Sequence, residues 1–284
     1  MMKKFNNNEV AQYYENCEID YRLIWDLDNA HELHYGYWDE GVKRLGQALN
    51  RENEIVASIA KVKKKDKVLD AGCGVGGSVL FLSKRIGCQA TGITLSKKQA
   101  IEGSALIKKY NLQRKSRIYR QDYLNNHFKG GSFSVVWSIE SMCHIPNNKE
   151  WAAESYRVLK KGGKIVVADG FLSHKINNQV EKGLMDKWLQ GWRVNILMQP
   201  EEFKRNLENV GFRNIRWHDI TDNVMPSSKL LYYHSFPAYF FGKIAEFLGL
   251  RNKIQTGNII AAHYQYKTLK KKLWRYLIFY AEKP

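Results

Sequence analysis

Apolar and polar positions along this chain switch repeatedly between two spacings, and the switching lays out a sheet wrapped by helices. Residues 9–40 carry short helical patterns rich in Tyr and Trp. Val42, Leu45, Leu49, Val56 and Ile59 then recur at helical spacing and predict an amphipathic helix over 42–61. Short apolar runs follow at Lys67–Asp70, Gln89–Leu95, Arg117–Gln121, Phe133–Ser138 and Lys164–Ala168, each read as a strand. Helical patterns alternate with them at 77–86, from Ser96 as N-cap through Tyr110, and over Asn148–Leu159, where Gly162-Gly163 is read as the stop. Helices near 175–190 and 200–210, a strand at Asn214–Asp219, a mostly helical and aromatic stretch over 222–272 and an apolar strand at Trp274–Ala281 complete the pattern.

Strand and helix alternating in this way predict an α/β fold: a doubly wound, mostly parallel seven-stranded sheet with N-terminal helices and a helical cap inserted before the last strand. The expected division is a helical cover over 1–61, an α/β core over 62–221, a cap insertion over 222–272 and a final core strand over 273–284. An excursion of that length between the last two strands is too long for an ordinary loop, so it is read as a cap over the site.

Composition refines this without changing it. The chain has 284 residues, 44% hydrophobic and 13% aromatic, enough for a sizeable core and one α/β domain with an extension. The net charge of +17 admits two readings, a solvated basic surface or a face that meets an anionic partner such as a membrane surface. The positive residues fall in short runs, Lys61 to Lys67, Lys108 to Lys109, Arg114 to Arg120 and Lys267 to Lys272. None of these resembles a nucleic-acid module, so no nucleic-acid partner is expected. Cys17, Cys73, Cys88 and Cys143 lack metal spacing, and the polar start Met1–Val10 does not read as a secretory signal. Reduced thiols, a cytoplasmic location and no metal site are therefore expected. No apolar run is long enough to span a membrane.

The chemistry concentrates in Val68-Leu69-Asp70-Ala71-Gly72-Cys73-Gly74-Val75-Gly76-Gly77, which follows a strand and opens a helix. Gly72, Gly74 and Gly77 also satisfy the dinucleotide pattern. A dinucleotide turn, however, holds a pyrophosphate against helix amides and expects an acid about 20 residues on. Here Asp70 precedes the glycines, where its carboxylate would repel a pyrophosphate and suit an ammonium, and the second strand ends in Gly92-Ile93-Thr94 with no acid.

Asp70-x-Gly72-x-Gly74-x-Gly76 resembles the first motif of class I S-adenosylmethionine-dependent methyltransferases. The resemblance implies that residues 62–221 form a core binding S-adenosylmethionine, with its amino-acid end over the glycines. It implies further that Thr94 and Gln99 hold the ribose, with Thr94 in place of the more usual acid, as in the tocopherol methyltransferase-like branch. Asp122, ending the third strand, would meet the adenine. Leu33-His34-Tyr35-Gly36-Tyr37-Trp38-Asp39 resembles the segment that covers the cofactor in this branch, so Tyr14, Tyr35 and Tyr37 are the candidates for that cover; a tyrosine-rich helix face packed in the core is the competing reading.

Ile139-Glu140-x-x-Cys143-His144-x-Pro146 resembles a segment of sterol C-methyltransferases. Glu140 and His144 stand four apart, and a helical turn would set them on one side. They are the candidate catalytic pair, accepting a proton or holding the acceptor; structural anchoring is the alternative for each. The chain lacks the Tyr-x-x-x-Gly-Trp-Gly stretch of the sterol enzymes. The expected activity is methylation of a small lipophilic isoprenoid-, sterol- or ring-type acceptor. N-methylation of a small amine, or S-adenosylmethionine binding without catalysis, remain open alternatives. The sequence assigns no oligomeric state.

Overall fold

The computed structural model describes residues 4–195 and 197–284; residues 1–3 of the expected N-terminal cover lie outside the described residues. Asn6 caps the first helix, α1 (Asn7–Ile24), in a reciprocal box with Glu9. A single turn, α2 (Leu27–Ala30), follows. Residues 31–44 form no long helix; the chain crosses the site here in irregular form, so Tyr35 and Tyr37 do not share a helix face. The predicted helix over 42–61 is shorter, α3 (Leu45–Ile59), because Arg44 is already extended (φ −150°).

The core strands are β1 (Lys67–Ala71), β2 (Gln89–Thr94), β3 (Ser116–Arg120), β4 (Phe133–Ile139), β5 (Leu159–Leu172), β6 (Arg213–Asp219) and β7 (Trp274–Glu282). They form one sheet in the order β3-β2-β1-β4-β5-β7-β6. The first five run parallel, and β7 runs antiparallel to both β5 and β6. Reversal of the strand order beside β1 leaves a crevice at the carboxyl edge, where ligands of open α/β sheets bind.

Helices α4 (Gly77–Phe81, continued by one wide π turn to Ile86), α5 (Lys97–Lys109), α6 (Asn148–Val158), α7 (Gln179–Gly191) and α8 (Pro200–Val210) cover the two faces. Ser96 caps α5 as expected, its hydroxyl accepting from Gln99 N at 3.1 Å. The expected stop of α6 is corrected. The helix ends at Val158, since Leu159 is fully buried, extended (ψ 136°) and paired with Phe133. Gly162 instead lies within β5, its amide donating to Lys283 O at the end of β7. Trp137, Val166, Val167 and Phe279 are fully buried along the central strands, each side chain of this size contributing about 1.5–3 kcal/mol.

Between β6 and β7 the chain leaves the sheet as a helical hairpin, α9 (Thr221–Phe247) and α10 (Lys253–Lys270). Its capping box, Asn252 with Gln255, starts the return helix. Asp20 of α1 grips Arg251 at the hairpin turn through two bonds of 2.8 and 2.7 Å, which ties the N-terminal helix to the hairpin over the carboxyl edge.

The basic runs lie elsewhere. Lys61 to Lys67 leads into and opens β1, and Lys108 to Lys115 leads into β3, at the amino edge of the sheet and away from the glycine turn. Lys267 to Lys272 lies on the side of the site, as does Arg120, the end of the run from Arg114, which pairs with Thr94 at the carboxyl end of β3.

Candidate active site

A cavity of about 510 Å³ opens at the carboxyl edge, floored by the turn after β1 and roofed by α1, the 31–35 segment and the α9–α10 hairpin. Asp70, Gly72 and Gly74 line it. Gly72 adopts φ +115°, and a Cβ there would lie 2.3 Å from Ser141 Cβ, so only glycine lets β1 pass the loop after β4. Gly76 is placed off the cavity. Its φ of +93° and a would-be Cβ contact of 2.4 Å with Ile118 make it a packing requirement where α4 begins.

Asp70 is 2% exposed, and its Oδ2 has no hydrogen-bond partner. Burial, reinforced by the nearby Glu32 and opposed by His34, holds its pKa well above the ordinary aspartate value. A buried carboxylate oxygen with nothing to bind is costly, and a cation arriving from the cavity relieves it.

Thr94 and Gln99 both line the cavity, the threonine hydroxyl donating to Gln99 Oε1 at 2.6 Å. Asp122 lines the far wall with both oxygens engaged, Oδ1 by Leu124 N at 3.0 Å and Oδ2 by Asn7 Nδ2 at 2.8 Å. Tyr14 and Tyr35 line the cavity. Tyr37 does not: its amide donates to Ala48 O at 3.0 Å and its ring packs against the core.

The expected helical pairing of Glu140 and His144 is corrected, although both line the cavity. Glu140 leaves β4 with φ +46°, and only Met142–His144 form a 3₁₀ turn, so the two side chains point to different partners. Glu140 Oε1 accepts from Tyr35 N at 2.6 Å and from Tyr276 Oη at 2.8 Å. Burial, with Glu52 adding to it, raises its pKa to about 8. His144 is held neutral by burial. Its Nδ1 faces Arg193 O at 2.9 Å and must carry the proton, because a carbonyl only accepts. Nε2 therefore accepts from Tyr14 Oη at 2.8 Å.

Sequence reading missed a buried charge cluster behind these groups. His34 sits between Glu32 (3.2 Å) and Glu52 (3.4 Å). Burial pulls its pKa down, but the two carboxylates more than reverse this and keep it protonated. Tyr276 Oη reaches Glu52 as well as Glu140, both at 2.8 Å. Glu52 was legible as an anomaly, a charge in phase with Leu45, Leu49 and Val56 on the buried face of α3. Asp169 was missed too. It lines the cavity beyond the expected end of β5, accepts from Cys143 N and Gly170 N, and is raised by burial to about 6. On this side the wall is aromatic. The Tyr35 ring lies 6.2 Å from Trp192 and 6.1 Å from Trp274, both tilted, and meets Tyr276 edge-on at 5.8 Å, while Trp188 lies 4.4 Å from Trp274.

The family model for mycolic acid cyclopropane synthetase matches residues 2–224. The chain belongs to that family. It is thereby placed among the class I S-adenosylmethionine-dependent methyltransferases, with the sheet order 3-2-1-4-5-7-6 and its reversed β7. Among curated relatives of this family member, the chloroplastic tocopherol O-methyltransferase of Arabidopsis thaliana is 26% identical over 76% of the chain and 66% of its own length. The sterol 24-C-methyltransferase of Saccharomyces cerevisiae is 27% identical over 76% of the chain and 56% of its own length. The match thus spans less than two thirds of either. The sarcosine/dimethylglycine N-methyltransferase of Halorhodospira halochloris is 23% identical over 89% of the chain and 85% of its own length. Two solved structures share the fold. Mycolic acid cyclopropane synthase CmaA1, complexed with S-adenosylhomocysteine, has a TM-score of 0.83 at 15% identity and 99% coverage of both chains. The [4+2]-cyclase SpnF has a TM-score of 0.79 at 21% identity, covering 100% of this chain and 98% of its own.

Proposed function

We propose that this chain transfers the methyl group of S-adenosylmethionine to a small lipophilic acceptor of isoprenoid, sterol or ring type. The observation that carries the reading is a single cavity with two unlike ends. At one end lies the unpaired buried oxygen of Asp70 above a glycine turn, and at the other the aromatic wall of Tyr35, Trp188, Trp192 and Trp274.

Asp70 would take the ammonium of the methionyl tail, with the Gly72–Gly74 backbone against it. Thr94 and Gln99 would hold the ribose and Asp122 the adenine side, while Tyr14 and Tyr35 close the site from above. When bound, the donor would supply an electrophilic methyl for the acceptor to attack in line, with neutral S-adenosylhomocysteine as the leaving group. The protein's own task is alignment and exclusion of water. Glu140 would position Tyr35 and the last strand through its bonds to Tyr35 N and Tyr276 Oη. For a hydroxyl or amine acceptor, the Tyr14–His144 pair would take the proton: the phenol oxygen would accept it while its own proton passes to Nε2. For an alkene acceptor, the aromatic wall would stabilise a carbocation by cation–π contact.

One observation favours a second reading, N-methylation of a hydrophobic amine: Asp169 and Glu140 place carboxyl groups in an otherwise aromatic pocket, where an ammonium would be held. The test is incubation of the purified chain and labelled S-adenosylmethionine with a lipid extract, with a set of amines and with RNA. Label in the organic phase supports the lipophilic acceptor, and label in an amine supports the second reading. Label in RNA, or donor binding with no transfer to any of these, overturns both. The fold alone does not decide this, since a cyclase shares it.

A further inference from the structure

The cap hairpin turns the usual polarity of a surface helix inside out. Toward the rest of the protein α9 buries small and polar residues, among them Ser227, Ser228, Ser235 and Gly242. These sites are used: Ser227 accepts from Gly36 N and Trp38 Nε1, Ser228 donates to Gln265, and Gly242 fits against Ile259 where a Cβ would lie 2.9 Å from its Cδ1. Toward solvent the same helix and its turn present Tyr233, Phe236, Phe240, Phe247, Leu248 and Leu250, with Phe247 88% exposed. Water-facing apolar surface of this extent marks an interaction site.

We infer that the outer face of this hairpin docks on an anionic lipid bilayer and that the acceptor enters the cavity from the membrane. Continuity is the first argument. Phe241 of α9, 66% exposed, belongs at once to this apolar face and to the lining of the cavity, and Leu23 of α1, 73% exposed, lines the cavity as well. An apolar molecule therefore passes from one to the other without crossing water. Charge is the second. Across α9, its turn and α10, Lys229, Lys243, Lys253, Lys267 and Lys270 stand against Asp222 and Glu246, while Arg251 is held by Asp20 of α1. Aromatic side chains flanked by lysines suit the headgroup boundary and its phosphates, whereas a second copy of the chain would bring the same positive charges face to face. No helix among the described residues is long and apolar enough to cross a membrane, so the contact is peripheral. It rests on the lipophilic-acceptor reading for its purpose, but not for its physics.

The experiment is flotation of the full chain with vesicles of phosphatidylcholine mixed with phosphatidylglycerol, compared with phosphatidylcholine alone. It is paired with a Phe240→Ser, Phe247→Ser, Leu250→Ser variant, whose changes all lie outside the cavity lining. The wild type is expected to float with the mixed vesicles and less with the neutral ones, and the variant to lose at least about tenfold in partitioning. Melting temperature and donor binding should be unchanged. If the triple variant folds poorly, Phe247→Ser alone serves, since that side chain faces solvent almost entirely. A wild type that stays out of the vesicle fraction overturns the inference. So does a variant that floats equally well, because the lysines would then suffice. A wild-type dimer that the variant splits, with no flotation, assigns the face to a second copy and also overturns it. Methyl transfer assayed separately on detergent-dispersed lipid keeps the two proposals apart: flotation without transfer sinks only the function, and transfer without flotation sinks only the docking.

Discussion

Tyr14 and His144, 130 positions apart in the chain, meet at 2.8 Å, the phenol donating to the one nitrogen of the imidazole that carries no proton. This bond seats α1 on the loop after β4 and makes the histidine's basicity available to the cavity only through the tyrosine. Tyr14→Phe should lower stability by about 1 kcal/mol, the worth of one hydrogen bond. It should also move the ¹⁵N resonance of His144 Nε2 toward that of a free imidazole nitrogen. An unmoved resonance would mean that the pair is not formed in solution.

Binding of the donor should release a proton. Burial holds the Asp70 carboxyl protonated above its ordinary range, and an arriving ammonium favours the ionised form. Calorimetric titrations with S-adenosylmethionine in phosphate and in Tris should therefore give different apparent enthalpies, in the direction of proton uptake by buffer. Equal enthalpies would show that Asp70 was already ionised.

Stability without ligand should fall as pH rises from about 4.5, the ordinary glutamate value, to about 8. Glu140 has its pKa raised to about 8 by burial and by Glu52, so its contribution is complete below the unfolded carboxyl value and lost as pH passes the folded one. His34, raised by Glu32 and Glu52 against burial, acts in the same direction. Melting curves across this window should show the decline, and Glu140→Gln, which cannot ionise, should flatten it. A variant with the same slope as wild type would assign the decline to other groups.

The glycines of the turn should separate by role. Gly72→Ala puts a Cβ into Ser141 at a left-handed backbone position and should cost about 3 kcal/mol or more of stability. At Gly74 (φ +52°) the added methyl meets only Leu33 Cδ1 at 3.3 Å, the end of a flexible side chain, so Gly74→Ala should cost about 1–2 kcal/mol. Thermal melts of both variants check the order, which reverses if Gly74 carries the tighter turn.

How much of this was legible in the sequence depended on whether the signal was local. All seven strands and Asp70 with its glycines were readable, because apolar period and turn chemistry are written in consecutive residues. The extent of β5 was not: Asp169–Leu172 extend beyond the pairing with β4 and are held by β7, more than 100 residues away. Glu140 and His144, singled out as a catalytic pair, both line the cavity, but their spacing suggested a shared helix that a left-handed residue prevents. Tyr37 and Gly76 were assigned to the ligand on motif position alone, whereas packing on Ala48 and Ile118 accounts for them. The Glu32–His34–Glu52 cluster, assembled from a loop and α3, had only the phase of Glu52 to betray it.

The account turns on the free oxygen of Asp70, and calorimetry of Asp70→Asn tests it most directly, with S-adenosylhomocysteine and with methylthioadenosine, which lacks the amino-acid tail. Loss of the buried charge pair should weaken S-adenosylhomocysteine by about 2 kcal/mol or more, roughly thirtyfold, and leave methylthioadenosine nearly unchanged. Equal affinities of the variant and wild type for S-adenosylhomocysteine, or equal losses for both ligands, would contradict it.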